Sequence, residues 1–161
     1  MNTVHPPVIA FYYSTANNLP NDLISEGYNI GTYFGKLSCN IILENQQNSP
    51  LTASIMEGSL QQNKLNKFSL IKSKEEKFIK SDILIFLPGG LETLDDLLFC
   101  INYNKKLSQK KPIIIYNYSN FYSNFINWME ELSLTNFINP SSELFCICQN
   151  VYEFNYFFNE V

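Results

Sequence analysis

The chain contains no arginine. Its eleven basic residues are all lysines, set against fifteen acids, so 161 residues carry a net charge of −4. Heavy use of Lys, Asn, Ile, Phe and Tyr accompanies this, as AT-rich coding would produce. The chemical consequence is independent of its origin. No guanidinium fork exists to grip phosphate or carboxylate in two places at once. A basic stripe is also missing, and with a pI near 5.0 the chain is not expected to bind nucleic acid. The densest lysines, Lys72, Lys74, Lys77 and Lys80, are interrupted by Glu75 and Glu76 and read as one solvated helical face of mixed charge. The four cysteines form no CxxC pair and no metal-ligand spacing, so neither a metal nor a cofactor is expected. Cys146 and Cys148 alternate on one face of a strand. With Cys39 and Cys100 they read as core thiols in a reducing compartment. No apolar run reaches the length of a membrane span and no secretory signal precedes the first apolar segment. The expected location is the cytoplasm or the interior of an organelle.

What is present is an ordinary globular composition, 45% hydrophobic and 16% charged, in a length that suits one domain over 1–161. Short apolar runs alternate with longer amphipathic segments. "PVIAFYYS" (7–14), "CNIILE" (39–44), "KFSLI" (67–71), "DILIFLP" (82–88), "KPIIIYN" (111–117) and "ELFCICQ" (143–149) read as strands. Helices are predicted over 21–37, 50–65, 72–80, 93–107, 119–133 and 150–161, with Pro50 placed for a first helical turn. The helix at 119–133 carries Phe121, Phe125, Trp128, Met129 and Leu132 at three- and four-residue spacings, a stripe suited to core or interface. Alternation of this kind predicts an α/β fold. It should be a Rossmann-like, doubly wound parallel sheet in three layers, with strands 7–14 and 82–88 central.

Ligands of such folds bind beyond the carboxyl ends of the strands. Three segments lie there: "YYSTANNLP", offering Ser14, Thr15 and Asn17; "ENQQNSP"; and "PGGLETLDD". The last has paired glycines, Gly89 and Gly90, which would let backbone N–H groups of Leu91 and its neighbours close around an anion. The plainer alternative is a simple turn, with Thr93 and Asp96 forming a capping box. The residues alone leave both readings open.

"FLPGGLETLDDLL" resembles the signature Pro-Gly-Gly-x-Gly-Thr-x-x-Glu of the Lonely guy (LOG) family, enzymes earlier described as lysine decarboxylases. The likeness continues in "KKP" before strand 111–117, in "NFYSNFINW", and in "FINP" (137–140), so residues 80–140 match at several independent places. Toward the N-terminus "VIAFYYSTA" is similar to the family's first strand and serine loop. The resemblance implies a Rossmann-like dimer that hydrolyses the N-glycosidic bond of a nucleoside 5′-monophosphate, releasing base and ribose 5-phosphate. It also implies phosphate binding by Gly89, Gly90, Leu91, Thr93, Ser14 and Thr15, with catalysis at Asp96 and Glu92 beside it.

The departures from that pattern are as informative as the matches. Glu44-Asn45-Gln46 stand where the family has three glycines, and Ser73 in "LIKSK" stands where it has a catalytic Arg. Glu92 replaces the Gly before Thr93, and Asp96 replaces the catalytic Glu. A family strand and loop ahead of the Arg motif have no counterpart. A Glu92 carboxylate about 4 Å from a phosphate charge would cost roughly 4 kcal/mol at an effective dielectric near 20. The helix dipole returns only about 0.3–1 kcal/mol. Asp falls about one methylene short of Glu, and a misplacement of about 1 Å can cost on the order of 100-fold in rate. The expectation is therefore a catalytically degenerate LOG-like protein, a binding or structural subunit of a homodimer or larger assembly. The small molecule such a site would take is nucleoside monophosphate-like, and the competing expectation is a working phosphoribohydrolase with Asp96 as its acid and base.

Overall fold

A computed structural model describes residues 5–46 and 48–158. It alternates β1 (Val8–Tyr12), α1 (Asn21–Gly35), β2 (Asn40–Glu44), α2 (Pro50–Gln62), β3 (Phe68–Ile71), α3 (Lys74–Lys80) and β4 (Ile83–Phe86). Then follow α4 (Leu91–Asn104), β5 (Ile113–Tyr116), α5 (Ser123–Leu134), β6 (Cys146–Cys148) and α6 (Asn155–Phe158). The six strands form one sheet in the order β3-β2-β1-β4-β5-β6, and every pairing is parallel. The expected α/β class and central strand pair are both present.

A parallel sheet must be covered on both faces, which is why its strands read as continuous apolar runs. Residues 9–12 of β1 and 113–116 of β5 are buried throughout. The pleat then sorts them. Ile9, Phe11, Ile41, Leu43, Ile85 and Ile114 face α1 and α2, joined by Phe154 and Phe158. Ala10, Tyr12, Leu84, Phe86 and Ile115 face α3, α4 and α5 through Phe78, Leu97, Cys100 and Met129. The change of side falls between β1 and β4, the point where chain order reverses and a crevice opens.

Packing of α1 on α2 needs its glycines. A Cβ on Gly31 would stand 2.1 Å from the Ile55 carbonyl oxygen, and one on Gly58 would stand 2.2 Å from that of Tyr28. The two backbones are closer than any side chain permits. These small residues cost helix propensity and return a close helical contact.

Several expectations need correction. The helix after the Pro-Gly-Gly turn begins at Leu91 with Gly90 as its N-cap, so Thr93 is inside the first turn and forms no capping box with Asp96. The final segment is a 3₁₀ turn over Val151–Phe154 followed by α6, and the part predicted beyond 158 lies outside the described residues. Cys146 is exposed at the start of the edge strand β6; Cys39, Cys100 and Cys148 are buried as expected. In the aromatic stripe Met129 is buried, whereas Trp128 and Phe121 are half exposed. Lys77 is not on a solvated face at all: it is fully buried.

Candidate functional site

The ends of β1 and β4 are joined where the chain leaves the sheet. Leu87 N donates to Tyr12 O at 2.9 Å and Ser14 N donates to Pro88 O at 3.3 Å, which brings the serine loop against the Pro-Gly-Gly turn. Gly89 is required there by contact. A Cβ on it would meet Thr93 Oγ1 at 2.1 Å, so the buried Thr93 fills the space beneath the turn. Gly90 is different, since a Cβ there would meet nothing within 4 Å.

The residues expected to act together are divided between two cavities. Ser14, Gly89 and Gly90 line a cavity of about 400 Å³ between β1 and β4, roofed by Tyr118 and Phe121 of the loop after β5. Thr15, Leu91, Glu92, Thr93 and Asp96 line a second, of about 730 Å³, with Glu44 and Gln46 from the end of β2. Thr15 Oγ1 bonds the Gln46 side chain and closes this side. Leu91 is exposed, and Asn17 is as well.

The second cavity is acidic. Glu44, Glu92, Asp95 and Asp96 line it, opposed by Lys72. Lys74 is engaged with Asp95, and Lys77 lies beneath with its donors committed. Its Nζ pairs with Glu44, donates to Phe11 O at 2.6 Å, and stands 3.8 Å from the centre of the Tyr12 ring. Burial presses the Lys77 ammonium below its ordinary value while Glu44 opposes the shift. Burial also raises the Glu44 carboxyl; Lys77 counters that, and the charge of Glu92 adds to the rise. Asp96 is pushed up to about 6, first by burial, with Lys77 and Lys74 opposing and Glu44 and Asp95 reinforcing. Ser73, at the family's Arg position, caps α3: its Oγ accepts from Glu76 N at 3.2 Å.

Sequence reasoning missed Lys77. The available signal was the acid ending "IILE", since a carboxylate that closes a buried apolar run needs a cation nearby. The loop after β5 was also underestimated. Ser119 and Asn120 both have positive φ, 50° and 61°, without being glycine. Buried Asn117 holds the turn: its Oδ1 accepts from Tyr122 N at 2.7 Å, and its side-chain amide donates to Ser123 Oγ at 3.2 Å. Tyr122 Oη donates to Leu87 O at 2.7 Å, which ties the loop to the start of the Pro-Gly-Gly turn. Among the described residues no cluster suited to a metal ion forms, and no helix is long and apolar enough to cross a membrane.

A family profile described as "Possible lysine decarboxylase" matches residues 28–154. The chain belongs to that family. This is the family to which the LOG resemblance pointed. Two rice (Oryza sativa subsp. japonica) relatives, each named a probable cytokinin riboside 5′-monophosphate phosphoribohydrolase, are 32% identical to it over 69 residues. That stretch is 43% of this chain but only 33% and 28% of the relatives' own lengths. Among solved structures, the molybdenum cofactor carrier protein of Chlamydomonas reinhardtii superposes with a TM-score of 0.69 at 9% identity, covering 96% of this chain and 97% of that one. The molybdenum cofactor binding protein of Rippkaea orientalis gives 0.67 at 13% identity, covering 98% of each chain. At such identities these two establish the shared fold. Within the family this member has its signature turn in place and an acidic cavity beside it.

Proposed function

We propose that this family member is a binding protein that no longer hydrolyses nucleotides, holding a small ligand at the carboxyl ends of β1 and β4. The observation that carries the reading is the charge of the second cavity. Four carboxylates line it against one lysine, Lys72; Glu44 is paired with Lys77 and Asp95 with Lys74, which leaves Glu92 and Asp96 to set its acidic balance. An incoming phosphate would meet repulsion where a phosphoribohydrolase needs attraction. The position that would supply a catalytic guanidinium is a helix cap, Ser73. Two proteins on the same fold are named for carrying or binding a cofactor rather than for turnover, which lends the binding role precedent. The protein works as a subunit of a homodimer or larger assembly; exposed Phe137, Tyr152 and Tyr156, with half-exposed Trp128, supply contact surface.

Incubating the purified protein with AMP and measuring released adenine tests the reading. Release no faster than in buffer is expected, and sustained turnover overturns it. Native mass determination tests the assembly, and a monomer at micromolar concentration counts against it. One observation favours the second reading, an active phosphoribohydrolase. A carboxyl titrating at about 6 beside a cavity, as Asp96 does, suits general acid–base catalysis near neutrality. The same assay separates the two.

A further inference from the structure

The acidic cavity contains a group of side chains whose hydrogen-bonding capacity the fold does not use. Glu92, Thr93 and Asp96 line it together at the start of α4, where residues three and four apart are surface neighbours. Three ion pairs form among the described residues, and neither Glu92 nor Asp96 enters any of them. Lys72 lines the same cavity and pairs with neither. The helix dipole favours Glu92 in the first turn, but its effect fades before Asp96, and like charges four residues apart repel. Burial raises the Asp96 carboxyl to about 6 although Lys77 and Lys74 oppose the rise, so this group is short of counter-charge. Thr93 is a separate observation. It is only 3% exposed and lines the cavity, yet its hydroxyl makes no hydrogen bond among the described residues. Buried hydroxyls ordinarily find a partner.

The chemistry of the three is one-sided. Two carboxylates and a hydroxyl place acceptors at three points, with one hydroxyl proton between them. An anionic ligand group finds no cation there. Among the described residues no cluster of ligating side chains suited to a metal ion forms either. A primary ammonium fits both the count and the charge, since its three N–H donors meet three acceptors and its charge answers the carboxylates. The cavity volume of about 730 Å³ leaves room for a carbon chain, with exposed Leu91 beside the three polar groups.

We propose that this cavity holds the primary ammonium group of a small aliphatic amine, with Glu92, Thr93 and Asp96 as its three acceptors. The inference rests on the reading of the chain as a binding protein and adds the ligand class to it. The acid at position 92, which obstructs a phosphate, becomes the group that selects the ligand.

Heteronuclear NMR titration of the purified protein with butylamine tests this, with butyltrimethylammonium, butanol and Mg²⁺ as comparisons. Butylamine should bind at millimolar concentration and move the backbone amides of 91–96 ahead of all others. Butyltrimethylammonium keeps the charge but has no N–H, and it should bind at least about fivefold more weakly, as the loss of charge-assisted hydrogen bonds requires. Butanol should not bind. Glu92→Gln should weaken butylamine about fivefold, the difference between a charged and a neutral acceptor. Because Glu92 is exposed, that variant should keep the wild-type melting temperature. Thr93→Val should weaken butylamine by a similar factor, and Thr93→Ser, which keeps the hydroxyl, should not. Absence of butylamine binding at millimolar concentration overturns the proposal. Equal binding by the quaternary analogue, or shifts centred away from 91–96, overturns it too, and so does Mg²⁺ moving the same amides at lower concentration than butylamine. Release of adenine from AMP would overturn the non-hydrolytic reading instead, while the amine titration decides the ligand class.

Discussion

Replacing Glu44 by Ala removes the counter-charge of a lysine that has no access to water. The Lys77 side chain is 1% exposed and that of Glu44 15%. Without the carboxylate, Nζ keeps the Phe11 carbonyl and the Tyr12 ring, which together do not balance a full charge. Breaking a buried pair from one side costs about 3–5 kcal/mol, and the slight exposure of Glu44 favours the lower end. For a chain of this size each kcal/mol lowers the melting temperature by about 2–4 °C, so a loss of roughly 6–12 °C is expected. The vacated position opens onto the second cavity, so an anion from solvent can replace the carboxylate. Inorganic phosphate should then raise the melting temperature of Glu44→Ala by mass action and leave the wild type unmoved. Replacing both partners by apolar residues, Glu44→Leu with Lys77→Met, should recover most of the loss, since a buried pair contributes little net stability over a packed apolar one. Thermal unfolding followed by circular dichroism, with and without phosphate, measures all three. If Glu44→Ala melts within about 2 °C of wild type, a cost under roughly 1 kcal/mol, the pair is not electrostatically coupled as described. A phosphate effect equal in wild type and variant would show that Lys77 is not the cation exposed.

Three further outcomes follow from the same geometry. The carboxyl of Asp96 has a folded value of about 6, above its ordinary 3.8, so the native state takes up a proton before the unfolded state does. This group therefore gains stability as pH falls from 7 through 6 toward 4. Asp96→Asn should be more stable than wild type at pH 7.5, with the difference shrinking toward pH 4 in urea titrations; the opposite trend would contradict the burial argument. Gly89→Ala should destabilise by about 1–3 kcal/mol, because its methyl would overlap Thr93, while Gly90→Ala should unfold within about 0.5 kcal/mol of wild type. Ser73→Arg should cost about 1 kcal/mol through loss of the α3 cap. It should also release no adenine from AMP, because Glu44 and Glu92 remain; measurable turnover in that single variant would mean the acidic cavity is no obstacle.

The fold was legible because its signal is local. "VIAFY", "ILIF" and "IIIY" are too short and too uniformly apolar for surface helices, and a sheet covered on both faces demands such runs. The α1 and α2 contact was not legible. Gly27, Gly31 and Gly35 recur at four-residue spacing, yet within one helix they register only as poor helix formers. Their meaning depends on Ile55 and Gly58 of another helix. Cys146 escaped for the converse reason. Alternation places it on the same face as Cys148, but alternation cannot tell where along an edge strand the covering layer ends.

The site was half legible, and its illegible half alters the meaning of the substitutions. Each departure from the family pattern looks like a loss when taken alone. In three dimensions at least two of them have acquired partners. Glu44 stands where glycine is expected and is bonded to Lys77; its backbone N–H, moreover, donates to Tyr13 Oη at 3.1 Å, which bonds Thr52 at 2.8 Å. Ser73 stands where arginine is expected and caps α3. A site that is merely decaying leaves polar groups unpaired, and buried unpaired groups cost about 1–3 kcal/mol each. Here both replaced positions are satisfied, Glu44 by a partner distant in sequence and Ser73 by the first turn of its own helix. Restoring the family residues one at a time would therefore break working contacts before it rebuilt any chemistry. That is why the reading of a repurposed binding site accounts for more of this geometry than the reading of a weakened enzyme.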